Sequence, residues 1–212
     1  MSAFDKDEDR PSFGSRMPES LAIIFDEVWL LVLNVHLRYR LLTQISQDDE
    51  TMDLLNSCAS YFFANVQRTF IDSVLLDICR LCDPHMQGKK ENLSIVTLRN
   101  AGTDVCSDDK ARLAYLNDVD GLILTLQSHA INIRTVRHKR IAHSDLPTAL
   151  RHPDAALPSV PKASIEASIL LLGKIINEIE TAFYAPVTMF DTYSMVGDGR
   201  ALVTLLKKAK FE

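Results

Sequence analysis

The fold is decided by residues 110–143, which read KARLAYLNDVDGLILTLQSHAINIRTVRHKRIAH. Apolar side chains recur along this stretch at steps of three and four residues, at Leu116, Val119, Ile123, Leu126, Ala130 and Ile133. This spacing is typical of the buried stripe of an amphipathic helix. Ser107, Asp108 and Asp109 supply an N-cap and acidic residues at the positive end of the helix dipole. The pattern therefore predicts one long helix that continues to about His143.

The same helical periodicity recurs on both sides of this stretch. It predicts three further long helices, at residues 21–45, 49–83 and 165–183, and short helices at residues 92–98 and 201–210. Ser20 is the predicted cap of the first of these helices, and either Asn92 or Ser94 is the predicted cap of the helix at residues 92–98. No segment has a convincing alternation of apolar and polar residues, which strands require. We therefore predict an all-α fold, most simply a bundle of four long helices with short additional helices.

The composition is that of an ordinary folded protein. The chain has 212 residues, of which 47% are hydrophobic and 24% charged, and this excludes collagen-like and wholly disordered proteins. Residues 1–18 are acidic and polar, so we expect a disordered tail followed by a single domain at residues 19–212. The apolar residues 21–42 are interrupted by charged side chains, which predicts no membrane span. Four cysteines without a secretory signal favour reduced thiols and a cytoplasmic location.

A local positive patch follows the apolar stripe. The net charge of -5 gives no general attraction for nucleic acid, but the position after Ile133 in the stripe is Arg137. Residues 134–151 contain five Lys or Arg and one acid, Asp145, which gives a local formal charge of +4. A guanidinium at a buried position must meet an anion or open onto a cleft, and phosphate is a suitable ligand. The alternative is that these residues only stabilise the negative end of a helix.

Two histidines accompany Arg137 in the heptapeptide RHKRIAH, residues 137–143. Histidine exchanges protons near neutral pH, and arginine can hold phosphate oxygens by two-point contact. The heptapeptide resembles the Arg-(four to six residues)-His motif of the HEPN superfamily. Residues 80–84, RLCDP, and residues 92–94, NLS, extend the resemblance to the abortive-infection AbiU-type branch. The resemblance covers roughly residues 60–145.

The resemblance implies an antiparallel four-helix domain that pairs with a second copy and acts on RNA in the cytoplasm. It implies a metal-independent endoribonuclease without a cofactor, used as a toxin or phage-defence effector. Arg137 would stabilise charge on the phosphoryl oxygens, His143 would be the principal proton-transfer group, and His138 would orient or assist. Further residues implied by the resemblance are Arg134, Lys139 and Arg140 on the RNA backbone, with Arg80 and Asp83 in support.

Geometry leaves two arrangements of the motif open. Six residues at about 100° each place Arg137 and His143 about 120° apart on an ideal helix. Either the helix loosens before Ser144, or the pair is completed across a dimer. Many toxin members carry a tyrosine two residues after the motif histidine, whereas this chain has Asp145 there. An antitoxin partner remains implied by the resemblance, but one that modifies that tyrosine is not expected.

Other functions stay open on the sequence alone. A HEPN-like module could bind RNA or nucleotides, or serve in assembly, without catalysis, and an unrelated helical scaffold is a third alternative. Cys79 and Cys82 form a CxxC that His85 and Cys106 could complete as a zinc site. A single CxxC on an amphipathic helix is more typical of small buried side chains, so we predict no metal site.

Overall fold

The computed structural model describes residues 16–183, 186–193 and 195–210. The helices are α1 (Glu19–Ile45), α2 (Asp49–Leu81), α3 (Ile95–Val105), α4 (Lys110–His129), α5 (Ile131–Val136), α6 (Leu146–Ala149), α7 (Lys162–Ala182) and α8 (Gly199–Lys210). In the described part of the chain the only sheet is a short antiparallel hairpin of β1 (Met86–Gln87) and β2 (Lys90–Glu91). The predicted all-α class is confirmed, whereas the exact four-helix bundle stays a prediction.

Helix α1 lies at the centre of the packing. It contacts α2, α3, α7 and α8, while α4 packs mainly against α7. By length and composition α1 is apolar enough to cross a membrane, with a mean hydropathy of 1.7 over its most apolar window. Half of that window is buried against the rest of the protein, which is the environment of a core helix. The core helix of a soluble protein passes the same test of length and composition, so α1 is weak evidence for a membrane span.

The apolar stripe of residues 110–143 is buried as predicted. All six of its apolar side chains belong to the main core. The predicted single helix is nevertheless divided, because α4 ends at His129 and α5 begins at Ile131. Ala130, with φ -83° and ψ -4°, separates them. The division allows α4 to pack against α7 while α5 packs against α2.

Helix α2 is divided by a sharp bend. Ala59 has φ -162° and ψ 71°, outside the helical region, so the two halves of α2 fold back on each other. Leu55 and Phe63 from the two sides of the bend share a small apolar cluster. Gln67 donates a hydrogen bond to the sulfur of Met52 at 3.2 Å across the same bend. The continuous helix predicted at residues 49–83 is therefore wrong at this point.

Two helix starts and one helix end differ in how well they were predicted. Ser94 caps α3 by accepting a hydrogen bond from the Thr97 amide at 3.3 Å, as predicted. The predicted cap Ser20 is wrong, since α1 begins at Glu19 after Pro18. α3 also runs past the predicted loop at Gly102, because this glycine lies against Leu116 and lets α3 approach α4 closely. Residues 1–15 of the predicted tail lie outside the described residues.

Candidate functional site

The motif residues form a π-turn, residues Arg137–Ile141, at the end of α5. The Ala142 amide donates to the Arg137 carbonyl at 2.8 Å, a bond that spans five residues instead of the four of an α-helix. Such wide turns are rare and occur frequently at functional sites. The helix therefore loosens before Ser144. The joining of Arg137 with His143, within one chain or across a dimer, stays a prediction.

The π-turn brings His138 and His143 together. Their ring centroids are 5.4 Å apart, and the rings meet edge to face at 78°. Five residues along an ideal α-helix would place them about 140° apart, so the wider turn is what aligns them. Both histidines are exposed. The result is an accessible pair of imidazoles, which we call the imidazole pair.

Arg137 is directed towards the end of α2. Its Nη1 lies 3.5 Å from Asp83 Oδ1, and its side chain is one-third exposed. Its Nε is buried and has no hydrogen-bond partner in the described structure. Arg137 thus meets an anion, as its position in the stripe requires, and Asp83 is that anion. The roles of both residues in catalysis stay predictions.

Two further arginines attach the motif to α2. Arg134 donates to the carbonyl of Cys82 at 2.7 Å, at the negative end of the α2 dipole. Arg140 forms an ion pair with Asp72. Together with Arg137, these side chains form a row at three-residue spacing, which we call the arginine row. Two of the three residues expected to hold RNA therefore also have contacts within the chain.

The remaining predicted site residues lie around this row. Lys139 is partly exposed, and its carbonyl accepts a hydrogen bond from the Asp145 amide at 3.1 Å. Arg80 is exposed and contacts Asp77 at 3.3 Å, and Asp77 is also paired with Arg38. The Asp77–Arg38 pair links α2 to α1, and Arg80 pairs with Asp77 within α2. Asp83 is the predicted supporting residue that contacts Arg137.

Asp145 places a negative charge beside the motif. It caps α6 by accepting hydrogen bonds from the Thr148 hydroxyl at 2.7 Å and the Thr148 amide at 3.2 Å. These bonds, followed by the charges of Lys139 and His138, lower the pKa of Asp145. Asp145 therefore stays ionised, and it fixes the chain directly after the imidazole pair.

The alternative zinc site gains no support from the described residues. Cys79 and Cys82 are buried free thiols, and burial raises their pKa values to about 11 and about 12. In residues 16–183, 186–193 and 195–210, no group of three His, Cys, Asp or Glu is arranged to hold a metal ion.

Two features of the site were not predicted. Asp72, the partner of Arg140, lies within α2, eleven residues before Asp83, which follows the end of that helix. Eleven residues are close to three full helical turns, and this spacing of two acids was a usable signal in the sequence. The π-turn has no such signal, because an apolar stripe does not report which hydrogen bonds the backbone makes.

The comparisons with known proteins agree with the motif. Residues 19–202 match the family model HEPN_AbiU2, described as AbiU2. No curated protein and no solved structure matches the chain. Because the matched region spans most of the 212 residues and includes the motif and the arginine row, this chain belongs to the AbiU2 family of HEPN proteins.

Proposed function

We propose that this protein is a metal-independent endoribonuclease that acts as a toxin or phage-defence effector in the cytoplasm. Membership of the HEPN family supports an RNase-like or abortive-infection role. One observation carries the finer proposal. The π-turn presents two exposed imidazoles whose ring centroids are 5.4 Å apart, and the partly exposed Arg137 is next to His138 in the chain. These are the groups that proton transfer and phosphate stabilisation require.

The reaction is an internal transfer of the phosphate. One imidazole removes the proton of a ribose 2′-hydroxyl, and the 2′-oxygen attacks the adjacent phosphorus. The bond from phosphorus to the 5′-oxygen breaks, and the other imidazole protonates that oxygen. The products are a 2′,3′-cyclic phosphate and a 5′-hydroxyl. His143 carries the principal proton transfer, and His138 assists it.

Arg137 stabilises the negative charge that develops on the phosphoryl oxygens. Its contact with Asp83 is 3.5 Å long and its side chain is one-third exposed, so an incoming phosphate can compete for it. Lys139, Arg134 and Arg140 contribute positive charge along the RNA backbone. A homodimer, in which a second copy adds its own motif to the cleft, and an antitoxin protein are the proposed protein partners.

The test is cleavage of end-labelled single-stranded RNA in the presence of EDTA. His143→Ala should lower the rate at least 100-fold, since general acid–base groups contribute about 10² to 10⁴. His138→Ala and Arg137→Ala should also lower it. The matched control is His152→Ala, because His152 is exposed and lies outside the motif. Cleavage that persists in His143→Ala, or that needs added divalent metal, would refute the mechanism.

A second candidate is a HEPN-like module that binds RNA without cutting it. The specific observation in its favour is the arginine row, whose members all have partners within the chain at Cys82, Asp83 and Asp72. The same assay separates the two functions. RNA binding by the wild type with no cyclic-phosphate product would establish the module instead of the nuclease.

A further inference from the structure

A groove of about 780 Å³ lies beside the π-turn. Helices α1 and α2, the motif and the loop before α7 form its walls. Its volume falls within the range of small-molecule sites, which is roughly 300 to 1,000 Å³. The groove is therefore large enough for a nucleotide-sized group.

The walls of the groove suit a flat ring with polar edges. Leu75 and Val136 are buried and form an apolar surface. Tyr39 adds an aromatic side chain, which its hydrogen bond to Glu166 at 3.0 Å holds in place. Bases bind proteins largely by stacking on aromatic and apolar side chains. This chemistry favours a nucleobase over a strongly polar ligand.

Two cations lie at the groove as well. Arg140 is paired with Asp72, and Lys162 lies 3.7 Å from Glu166. Because both cationic side chains are partly or fully exposed, each can also interact with a phosphate. A base in the groove would thus have positive charge available for the phosphates of its own strand.

The groove adjoins the segment that carries the proposed catalytic site. Val136, which immediately precedes Arg137, and Arg140 of the π-turn line the groove, whereas Arg137, His138 and His143 do not. We infer that the groove holds an unpaired base of the RNA substrate, on the same strand as the phosphate bound at the imidazole pair. A base within a duplex would first have to break its pair and unstack, at a cost of a few kcal/mol, so an unpaired base is the favoured occupant. This inference rests on the proposed function.

The first experiment measures binding of RNA to the wild-type protein. Hexanucleotides with 2′-O-methyl groups are used, because the proposed reaction cannot cut them. Each base is removed in turn, leaving an abasic sugar, and affinity is measured by fluorescence anisotropy. Removal of one base should weaken binding about tenfold, since stacking contributes about 1 to 3 kcal/mol per base. Equal affinities across the series would overturn the inference.

The second experiment fills the groove. Val160→Trp places a large side chain in the lining, and Ser159→Trp is the matched control, since Ser159 is exposed on the same loop outside the lining. In the Val160→Trp variant, removing the base that matters for the wild type should no longer lower the affinity. In the Ser159→Trp variant, removing that base should still lower the affinity. Circular dichroism checks that both variants fold. If a folded Val160→Trp variant still loses affinity when that one base is removed, the base binds elsewhere and the inference is overturned.

The two experiments separate this inference from the proposed function. If the protein cleaves RNA in EDTA but no single base removal lowers the affinity, the proposed nuclease stands and the groove is not a base site. If one base removal lowers the affinity of the wild type but not of Val160→Trp, and unmodified RNA is not cleaved, the base site is supported and the nuclease is refuted.

Discussion

The buried histidine of α1 should make the protein unstable in mild acid. His36 is 7% exposed, and its ring stacks on Phe190 with the centroids 5.0 Å apart. Burial foremost, together with the charge of Arg40, lowers the pKa of His36 from 6.5 to about 4. Asp191, 3.7 Å from Nδ1, and the carbonyl of Ile169 act in the opposite direction. The imidazole is therefore neutral in the folded protein at neutral pH.

The direction in which stability changes with pH follows from the protonation of His36 in the folded and the unfolded protein. The unfolded chain takes up a proton near pH 6.5, whereas folded His36 does so only near pH 4, so acid favours unfolding between these values. The stabilisation is complete above pH 6.5 and is lost as the pH falls towards 4. At 1.36 kcal/mol per pKa unit, the loss is about 2 kcal/mol at pH 5 and about 3 kcal/mol at pH 4.

The assay is urea unfolding from pH 7.5 to pH 4 for the wild type and for His36→Leu. All other titrating groups are shared, so the difference in unfolding free energy between the two proteins isolates His36. The stability of the variant relative to the wild type should rise by about 3 kcal/mol over this range. His152→Ala, at an exposed position, should show no such change. Parallel stability curves for the wild type and His36→Leu would refute the reasoning.

Four other substitutions or modifications give defined outcomes. Asp48→Ala removes the cap that accepts from the Thr51 amide, so urea unfolding should show a loss of about 1 kcal/mol. Leu126→Ala opens a cavity at a fully buried site and should cost about 2 to 5 kcal/mol. A thiol reagent should label exposed Cys58 rapidly in the native protein and the three buried cysteines only on unfolding. Asp83→Asn should change stability by less than about 1 kcal/mol yet slow RNA cleavage, because Arg137 loses its anchor.

The core of the fold could be predicted because residues buried on one face of a helix recur in the sequence with the helical period. Every apolar position of the stripe from Leu116 to Ile133 is buried, and the all-α class follows from such stripes. The breaks at Ala59 and Ala130 could not be predicted in this way. Alanine favours helices, and only the packing of the segments on either side determines that the chain turns there.

The candidate site could be located from the sequence but not assembled. The cluster of cationic residues and histidines was sufficient to select residues 134–143. The partners of the arginine row come from residues 72–83, about 50 to 70 positions away, and no local pattern connects the two segments. The proximity of His138 and His143 depends on one wide turn of backbone, which periodicity at 3.6 residues does not represent.

The arginine row also affects how the protein should respond to ionic strength. Residues 134–151 have a formal charge of +4, but Asp72 and Asp83 neutralise two of these cations, which leaves +2. A single strand releases about 0.7 counterion per neutralised phosphate, so a log–log plot of affinity against salt should have a slope of about -1.4 instead of about -2.8. A strand would thus be captured with little long-range electrostatic steering and retained by local fit. Concentrated salt would weaken its binding less than the local sequence implies.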